Sequence, residues 1–258
     1  MSETRGFYSL WLRELKRFVR DRTRIVTSFV QPVLWLVIFA AAFATRFVGS
    51  LPADLNFRQF LLPGIIGQTI LFTAMFMGIN VIWDKEFGFM KEILVSPVSR
   101  LTIFLGKMVG DSTDAFLQGI IVFVIGLAIG IPVKPITLLY ALPILMLISF
   151  GLVSIGLTIA SFISNLEGFG AIQTFVNLPL FFLSGALFPL KGGALPTWLT
   201  DVAAWNPLTY GVDALRHVML GNAWTPLQVQ PLWVDIGFVA LFDGIMIVIG
   251  TWAFTRMK

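Results

Sequence analysis

Long stretches without charged residues recur along the chain, at 25–45, 59–83, 115–133, 135–166 and 168–190, and a sixth at 236–255 is interrupted only by Asp243. A membrane-spanning helix needs roughly 20 mostly apolar residues, so each stretch is long enough to cross a bilayer. We therefore predict an all-α integral membrane protein that forms one transmembrane domain over residues 1–258. Its six spans are expected at about residues 25–46, 59–83, 108–131, 137–163, 168–190 and 232–255.

A strongly amphipathic segment precedes the first span, within residues 1–24. At 100° per residue, one arc of a helix over 7–21 is apolar and the opposite arc is basic. The apolar arc holds Phe7, Tyr8, Trp11, Leu12, Leu15, Phe18 and Val19, and the basic arc holds Arg13, Lys16, Arg17 and Arg20. The pattern predicts a cytoplasmic helix lying flat in the membrane interface, or else charges that only orient the first span. A cleaved signal peptide is not expected, because the charged region before 42–44 is too long.

The segment Trp83–Lys107 carries a dense group of charges between two apolar runs. A helical pattern places Phe87, Phe89, Met90, Ile93, Leu94 and also Glu86 on one side, and Asp84, Lys85, Lys91 and Glu92 on the other. The helix should end before Pro97, and Ser99 is a suitable N-cap for the next one. We predict a short amphipathic helix between spans two and three, with a carboxylate on its buried side. It is either a solvated connection or a platform on which another protein pushes.

The segment 181–222 follows span five and contains two short helical patterns. Asn206 and Pro207 form a helix start, with a capping side chain followed by a first-turn proline. A shorter helix is expected over 195–204, and aromatic residues of the interface-seeking kind, Trp198, Trp205 and Tyr210, lie in both. Neither pattern is long enough to span, so the pair is expected to dip into the outer leaflet. The single histidine, His217, is expected to be structural and not a metal ligand.

Several polar residues lie at membrane depth. The amides are Gln31, Gln68, Asn80, Gln173 and Asn177, and each either bonds a neighbouring helix or lines a route. Asp111 and Asp114 share a face with Lys107, which indicates ion pairing near the end of span three. Asp243 is an intramembrane acid, and such groups usually face protein or water. It is therefore either a functional site or a packed, hydrogen-bonded group.

Composition and charge agree with a membrane protein. The chain is 57% hydrophobic and 12% charged, whereas a soluble domain is about 45–50% apolar and about 25% charged. Basic residues lie mostly on the side of the termini, which places both termini in the cytoplasm. The expected location is the cell inner (plasma) membrane. That distribution accounts for the net charge of +4, so no nucleic-acid partner is expected. There is no cysteine.

Signatures of independent catalysis are missing from the sequence. It contains no glycine-rich nucleotide loop, no zinc-protease or serine-hydrolase signature and no cluster of metal ligands. We therefore expect no enzyme, no metal and no cofactor bound by this chain itself. No inverted repeat of the kind common in secondary transporters is evident.

Two stretches together carry a family resemblance: E-F-G, L-V-S-P-V-S-R and G-K within 86–107, and L-S-G-A-L-F-P-L, L-P-T-W-L and N-P-L-T-Y-G-V-D-A-L-R within 183–216. With six spans they resemble the ABC-2 type permeases, the membrane subunits of ABC exporters for drugs, lipid-linked glycans and nodulation factors. The resemblance implies a connecting helix at the N-terminus and re-entrant outer helices after span five. It also implies a coupling helix on an ATPase, with contacts at Asp84, Lys85, Glu86, Gly88, Lys91, Glu92, Pro97 and Arg100.

The resemblance further implies a half-transporter embedded in membrane lipid. Its partners would be a second permease copy, identical or paralogous, and two copies of a cytoplasmic ATPase subunit that binds ATP and Mg. Spans two and five line the dimer interface in that family, so the expected substrate path includes Phe72, Phe76, Asn80, Asn177, Phe181 and Phe182. The expected outer gate comprises Trp198, Trp205, Asn206, Pro207 and Tyr210.

Four functions are weighed against these patterns. Because the spans offer rings, amides and glycines but few fixed charges, we expect export of a lipophilic or amphipathic small molecule. The alternative substrate is a lipid-linked glycan, which would need sugar-stacking rings along its route. A transporter driven by an ion gradient would require Asp243 as its ion site. A membrane scaffold without substrate is the fourth.

Overall fold

The computed structural model describes residues 3–20, 22–43, 51–52, 54–191 and 195–257. Throughout these ranges the regular structure is helical, which confirms the predicted all-α class. The helices are α1 Glu3–Arg20, α2 Arg22–Phe43, α3 Phe57–Glu86, α4 Phe89–Val95, α5 Arg100–Ala128, α6 Thr137–Phe162, α7 Leu166–Phe182, α8 Thr197–Ala203, α9 Pro207–Leu220 and α10 Leu232–Arg256.

Four of the described helices, α3, α5, α6 and α10, are long and apolar enough to cross a membrane. The helices α2 and α7 occupy the places of predicted spans one and five, but α7 has only 17 residues. The prediction that span five continues to residue 190 is wrong, because the chain turns after Phe182. Gly185 there has φ +71°, a left-handed conformation that an α-helix cannot contain.

Helix α3 is the centre of the bundle, since most of its side chains are buried against α2, α5, α6, α7 and α9. Glycines allow the closest of these approaches. A Cβ atom added to Gly78 would lie 2.7 Å from the carbonyl oxygen of Gly156 on α6. A Cβ on Gly156 would likewise lie 2.8 Å from the oxygen of Ala74. Small residues at this crossing bring the two backbones into contact, as is usual between membrane helices.

The helix start signals seen in the sequence are confirmed, whereas one helix boundary is not. Ser99 Oγ accepts a hydrogen bond from the Thr102 amide at 3.2 Å, and Asn206 Oδ1 accepts one from the Leu208 amide at 3.0 Å. The single helix expected from Trp83 onward is instead divided at Gly88, whose φ is +80°. The residues up to Glu86 therefore belong to α3, and a separate α4 follows.

Candidate functional site

Helix α1 packs along α5 through two glycines. Gly106 and Gly110 lie one turn apart on α5, and Cβ atoms there would lie 2.9 Å from Leu10 Cβ and 2.8 Å from Glu14 Cβ. The buried residues of α1 are separated by eight and four positions and so share one face, namely Gly6, Glu14 and Phe18. The face that meets the bundle therefore includes an acid, which the apolar arc predicted from the sequence did not contain.

Four charged side chains from three helices meet beside this contact. Lys107 Nζ of α5 is fully buried and donates to Glu14 Oε1 at 3.0 Å and to Asp84 Oδ2 at 2.8 Å. Arg13 Nη2 donates to the same Asp84 oxygen at 2.5 Å and lies 3.2 Å from Glu14 Oε1. We call Arg13, Glu14, Asp84 and Lys107 the charge cluster. It joins α1, α3 and α5 at the end of the bundle that also carries α4.

The two α1 members of the charge cluster are held in their ionised forms. Burial alone would raise the pKa of Glu14, but Lys107 and Arg13 together hold that pKa below its ordinary value of 4.5. For Arg13, burial acts to lower the pKa, and the carboxylates of Glu14 and Asp84 raise it overall. Two cations thus face two carboxylates, so the buried charges are balanced.

The sequence prediction that Asp84 and Lys85 form an exposed contact surface is wrong, because α3 continues through both residues. Asp84 is only 4% exposed and lies in the charge cluster. Lys85 Nζ, half-buried, donates to the carbonyl oxygens of Ala160, Ser161 and Ile163 at 2.7, 2.6 and 3.1 Å. An ammonium with three donors suits the unpaired carbonyls at the C-terminus of α6. Both residues therefore fasten helices to α3.

The segment between α3 and α5 leaves apolar side chains exposed. Phe87, Phe89 and Val95 are 70%, 53% and 82% exposed, whereas Met90 is buried. The prediction that Glu86 lies on a buried side together with these phenylalanines is therefore wrong, because Glu86 is itself exposed. Of the other predicted contact residues, Lys91, Glu92 and Pro97 are exposed, and Gly88 and Arg100 are partly exposed. We call the region 86–97 the coupling segment, after the coupling helix that the family resemblance predicts there.

A cleft connects the coupling segment to the charge cluster. It has a volume of about 240 Å³ and is lined by Arg13, Arg17, Trp83, Asp84, Phe87 and Phe89. The guanidinium of Arg17 lies 5.6 Å from the centroid of the Trp83 ring. Beyond the other end of the segment, Glu3 Oε1 of α1 accepts a hydrogen bond from the Ser99 amide at 3.0 Å. Helix α1 thus contacts residues on both sides of the coupling segment.

The residues expected to line a substrate path are only partly brought together. Phe181 is buried, with its ring edge-on to Phe72 at 6.3 Å and 5.1 Å from the ring of Phe182. Phe76 and Phe182 are 40% and 41% exposed. Asn80, whose Nδ2 lies 3.6 Å from Met77 Sδ, and Asn177 are buried inside the protein. Phe72, Phe181 and Phe182 therefore form one aromatic group between α3 and α7, and Phe76 lies one helical turn from Phe72 on α3.

The residues expected to form the outer gate divide into exposed and buried ones. Trp198 and Trp205 are 60% and 83% exposed, as expected of interface-seeking rings. Tyr210 is only 7% exposed, because its ring stacks on Phe238 at 3.9 Å and its hydroxyl donates to the Ala204 oxygen. Asn206 and Pro207 are buried as well.

Most residues of helix α9 are buried inside the bundle, and its position relative to the outer leaflet stays a prediction. Two glycines of α3 allow the turn after α7 and helix α9 to pack closely against α3. A Cβ on Gly64 would lie 2.1 Å from the Ala186 oxygen, and one on Gly67 would lie 2.7 Å from Val212 Cγ2. The guanidinium of Arg216 donates to the oxygens of Gly185 and Ala186.

Asp243 lies between α10 and α6. Its side chain is 5% exposed, and its Oδ1 lies 2.2 Å from where a Cβ on Gly151 would be. Neither carboxylate oxygen has a hydrogen-bond partner among the described residues. The glycine therefore makes room for an intramembrane acid, whose role stays a prediction.

Sequence reasoning missed two features of this site. Gly106 and Gly110 form a small-xxx-small pattern, which is the signal that marks close helix packing in membranes. Glu14 is the one acid among the basic residues of the segment 11–20, and this isolation could have indicated a buried partner.

Comparison with known proteins agrees with this architecture. A family model described as "ABC-2 type transporter" matches residues 5–220. The chain is 30% identical over 202 residues to ycf38 of Cyanophora paradoxa, whose name describes a transport permease, covering 78% of this chain and 69% of the relative. It is 28% identical to Nodulation protein J of Rhizobium leguminosarum bv. viciae, covering 77% and 75% of the two chains.

A third relative covers more of the chain. The Inner membrane transport permease YadH of Escherichia coli (strain K12) is 26% identical over 238 residues, which are 91% of this chain and 90% of the relative. Because the family model covers most of the sequence and the fold has long apolar helices throughout, the resemblance seen in the sequence is confirmed. The chain belongs to the ABC-2 type transporter family of membrane transport permeases.

Proposed function

We propose that the chain is the membrane subunit of an ATP-driven exporter, and that an ABC ATPase docks on its coupling segment. Permeases of this family normally work with such an ATPase. In the working complex two ATPase copies, which bind ATP and Mg, act on two permease copies, identical or paralogous. The excess of basic residues near the termini favours an inner-membrane location with α1, α4 and both termini in the cytoplasm. This chain itself is then a transport subunit and not an enzyme.

The exposure of the coupling segment carries this proposal. Phe87, Phe89 and Val95 present apolar side chains to solvent at the end of the bundle opposite α8 and α9. Exposed apolar groups rimmed by charges, here Lys91 and Glu92, are typical of a protein-binding surface. The charge cluster holds α1 and α3 together beside this surface. A force applied to the coupling segment is therefore transmitted to the long apolar helices.

Co-purification with the ATPase tests the docking surface. The double variant Phe87→Ser, Phe89→Ser should lose most of the ATPase subunit that copurifies with the unaltered chain, because two exposed rings leave the interface. The matched control is Trp205→Ser, which removes an equally exposed ring at the α8–α9 end. Equal recovery of ATPase with the double variant and the control would place the docking surface elsewhere.

Lipophilic or amphipathic small molecules are the substrate class that we favour. The surface formed by Phe72, Phe76 and Phe182 offers aromatic rings and no charged side chain. Hydrated ions would need rings of charge or carbonyl filters instead. A lipid-linked glycan is the alternative, favoured by the exposed rings of Trp198 and Trp205, on which sugars could stack.

Vesicles that contain the permease and its ATPase separate these substrates. ATP should drive export of a lipophilic dye, and the double variant Phe76→Ser, Phe182→Ser should slow it, whereas Val248→Ser on the exposed face of α10 should not. ATP-dependent movement of a lipid-linked glycan without dye movement would refute the favoured substrate. Transport that continues without ATP but stops in Asp243→Asn would instead support an ion-driven mechanism.

A further inference from the structure

Three potential metal ligands converge at the end of the bundle that carries α8 and α9. Asp213 and His217 are four residues apart on α9, so they share one face of that helix. Asp235 lies in the first turn of α10. One ligand atom from each residue lies within 4.8 Å of the others. This cluster is not apparent from the residue pattern, because Asp235 is distant along the chain and His217 is the only histidine.

The imidazole nitrogen Nε2 of His217 faces three oxygen atoms. The Gln230 carbonyl oxygen lies 2.9 Å away, Asp235 Oδ2 3.7 Å and Asp213 Oδ2 3.9 Å. A single N–H proton can satisfy one of these acceptors but not all three. The edge of a tetrahedron of nitrogen and oxygen ligands around Zn²⁺ is about 3.3 Å, from metal–ligand distances of about 2.0–2.1 Å. Three oxygen atoms therefore lie within 4 Å of Nε2, at distances close to the spacing between the ligands of a small dication.

Asp235 supplies an independent indication of a ligand. The residue is fully buried, and no N–H or O–H group of the described residues donates a hydrogen bond to either of its oxygens. Its polar neighbour is the Asp213 carboxyl group. Two buried carboxylates side by side repel each other, so a cation between them would remove a large penalty. Its Oδ2 is the atom nearest His217, which directs the unsatisfied charge into the cluster.

Asp213 is held in place as metal ligands commonly are. Its Oδ1 accepts a hydrogen bond from Trp224 Nε1 at 2.7 Å. Its Oδ2 accepts from the amides of Val229 and Gln230 at 2.8 and 3.0 Å. Each carboxylate oxygen has about two acceptor positions, so the one that remains for a metal is on Oδ1. Such surrounding hydrogen bonds orient the ligand before the metal arrives. The His217 side chain, 14% exposed, leaves an entry from solvent.

We propose that Asp213, His217, Asp235 and the Gln230 carbonyl bind a divalent transition-metal ion, with Zn²⁺ the best fit to one imidazole and three oxygens. Imidazole favours zinc over Mg²⁺ and Ca²⁺, which prefer oxygen ligands alone. The ion links α9 to the start of α10 and so fixes the short internal helix to a long apolar one. This proposal does not depend on the substrate or on the ATPase.

Zinc binding by the purified chain in lipid nanodiscs tests the site, provided that the affinity tag contains no histidine. Because the chain has one histidine and no cysteine, the imidazole signal in an NMR spectrum of labelled protein reports on His217 alone. Added Zn²⁺ should shift that signal, bind at one ion per chain in calorimetry and raise the melting temperature. Calcium at the same concentration should do none of these.

Variants separate the site from general surface binding. His217→Gln and Asp235→Asn should each weaken zinc binding by about tenfold or more, whereas Asp201→Asn, an exposed acid on α8, should leave it unchanged. No shift of the His217 signal in the unaltered chain at millimolar Zn²⁺ would overturn the proposal, whether or not the variants fold. Zinc binding that survives both substitutions would overturn it as well, and would leave the cluster to be neutralised by a proton shared between carboxylates.

Discussion

Replacing Lys107 with methionine is the most direct test of how α1 is attached to the bundle. The substitution keeps the length of a fully buried side chain and removes the cation that bonds Glu14 and Asp84 at 3.0 and 2.8 Å. Arg13 would then face both carboxylates, with Arg17 Nη1, 3.8 Å from Asp84 Oδ1, as the other nearby cation. Removing one partner of a buried ion pair costs about 3–5 kcal/mol, because the remaining charge stays buried without compensation. In a chain of this size that corresponds to a fall in melting temperature on the order of 10 °C.

The assay should follow both global stability and the attachment of α1. In nanodiscs, Lys107→Met should melt earlier than the unaltered chain, and trypsin should cut α1 faster at Arg13 or Arg17. Lys91→Met is the matched control, because Lys91 is exposed on α4. The triple variant that adds Glu14→Gln and Asp84→Asn should recover part of the loss, since no buried carboxylate is then left with too few partners. If Lys107→Met melts and is digested like the control, the charge cluster does not hold α1.

Three further predictions concern contacts that hold neighbouring helices together. Gly110→Val should loosen α1 and lower the free energy of unfolding by about 1–3 kcal/mol, because even a Cβ would lie 2.8 Å from Glu14 Cβ. Thermal melts measure this, with Gly170→Val on α7 as the control, since a Cβ there meets nothing within 4 Å. Lys85→Met should destabilise the chain by about 1–3 kcal/mol, because three carbonyl oxygens at the end of α6 lose their donor, and hydrogen exchange should rise there first. Glu14 has a pKa below its ordinary 4.5, so its contribution to folding stability is present above pH 4.5 and is lost as the pH falls through the lower folded-state pKa. Proteolysis of α1 should therefore accelerate on acidification, and less so in Glu14→Gln.

Sequence patterns could predict the features that arise from local chemistry. The caps at Ser99 and Asn206 depend on a side chain and an amide a few residues away, so the residue types alone indicate them. The apolar stretches likewise fix where long helices form. The family follows from these stretches together with the short motifs around Pro97 and Pro207.

The remaining features depend on contacts between distant segments. The helix expected from Trp83 onward assigned Asp84 to a solvent face, because a wheel drawn across Gly88 assumes one continuous helix. In the structure α3 continues to Glu86, and this register turns Asp84 towards Lys107, 23 residues later. No residue near Asp84 in the sequence indicates that it pairs with Lys107. The burial of Tyr210 has the same cause, since Phe238 covers its ring.

The polar contacts between helices indicate which helices would move together if a force acted on the coupling segment. Glu3 holds the start of α5 through Ser99, Arg13 and Lys107 join α1 and α5 to Asp84 of α3, and Lys85 holds the end of α6. These connections are ionic or charge-assisted, so they are directional and fix one register between helices, which apolar contacts alone do not. A displacement of α4 would therefore carry α1, α3, α5 and α6 as one unit. Helix α7 follows α6 after the break at 163–165 and meets α3 through apolar contacts, such as that of Phe181 with Phe72. Relative motion is thus expected first between this unit and α7, where the aromatic rings lie.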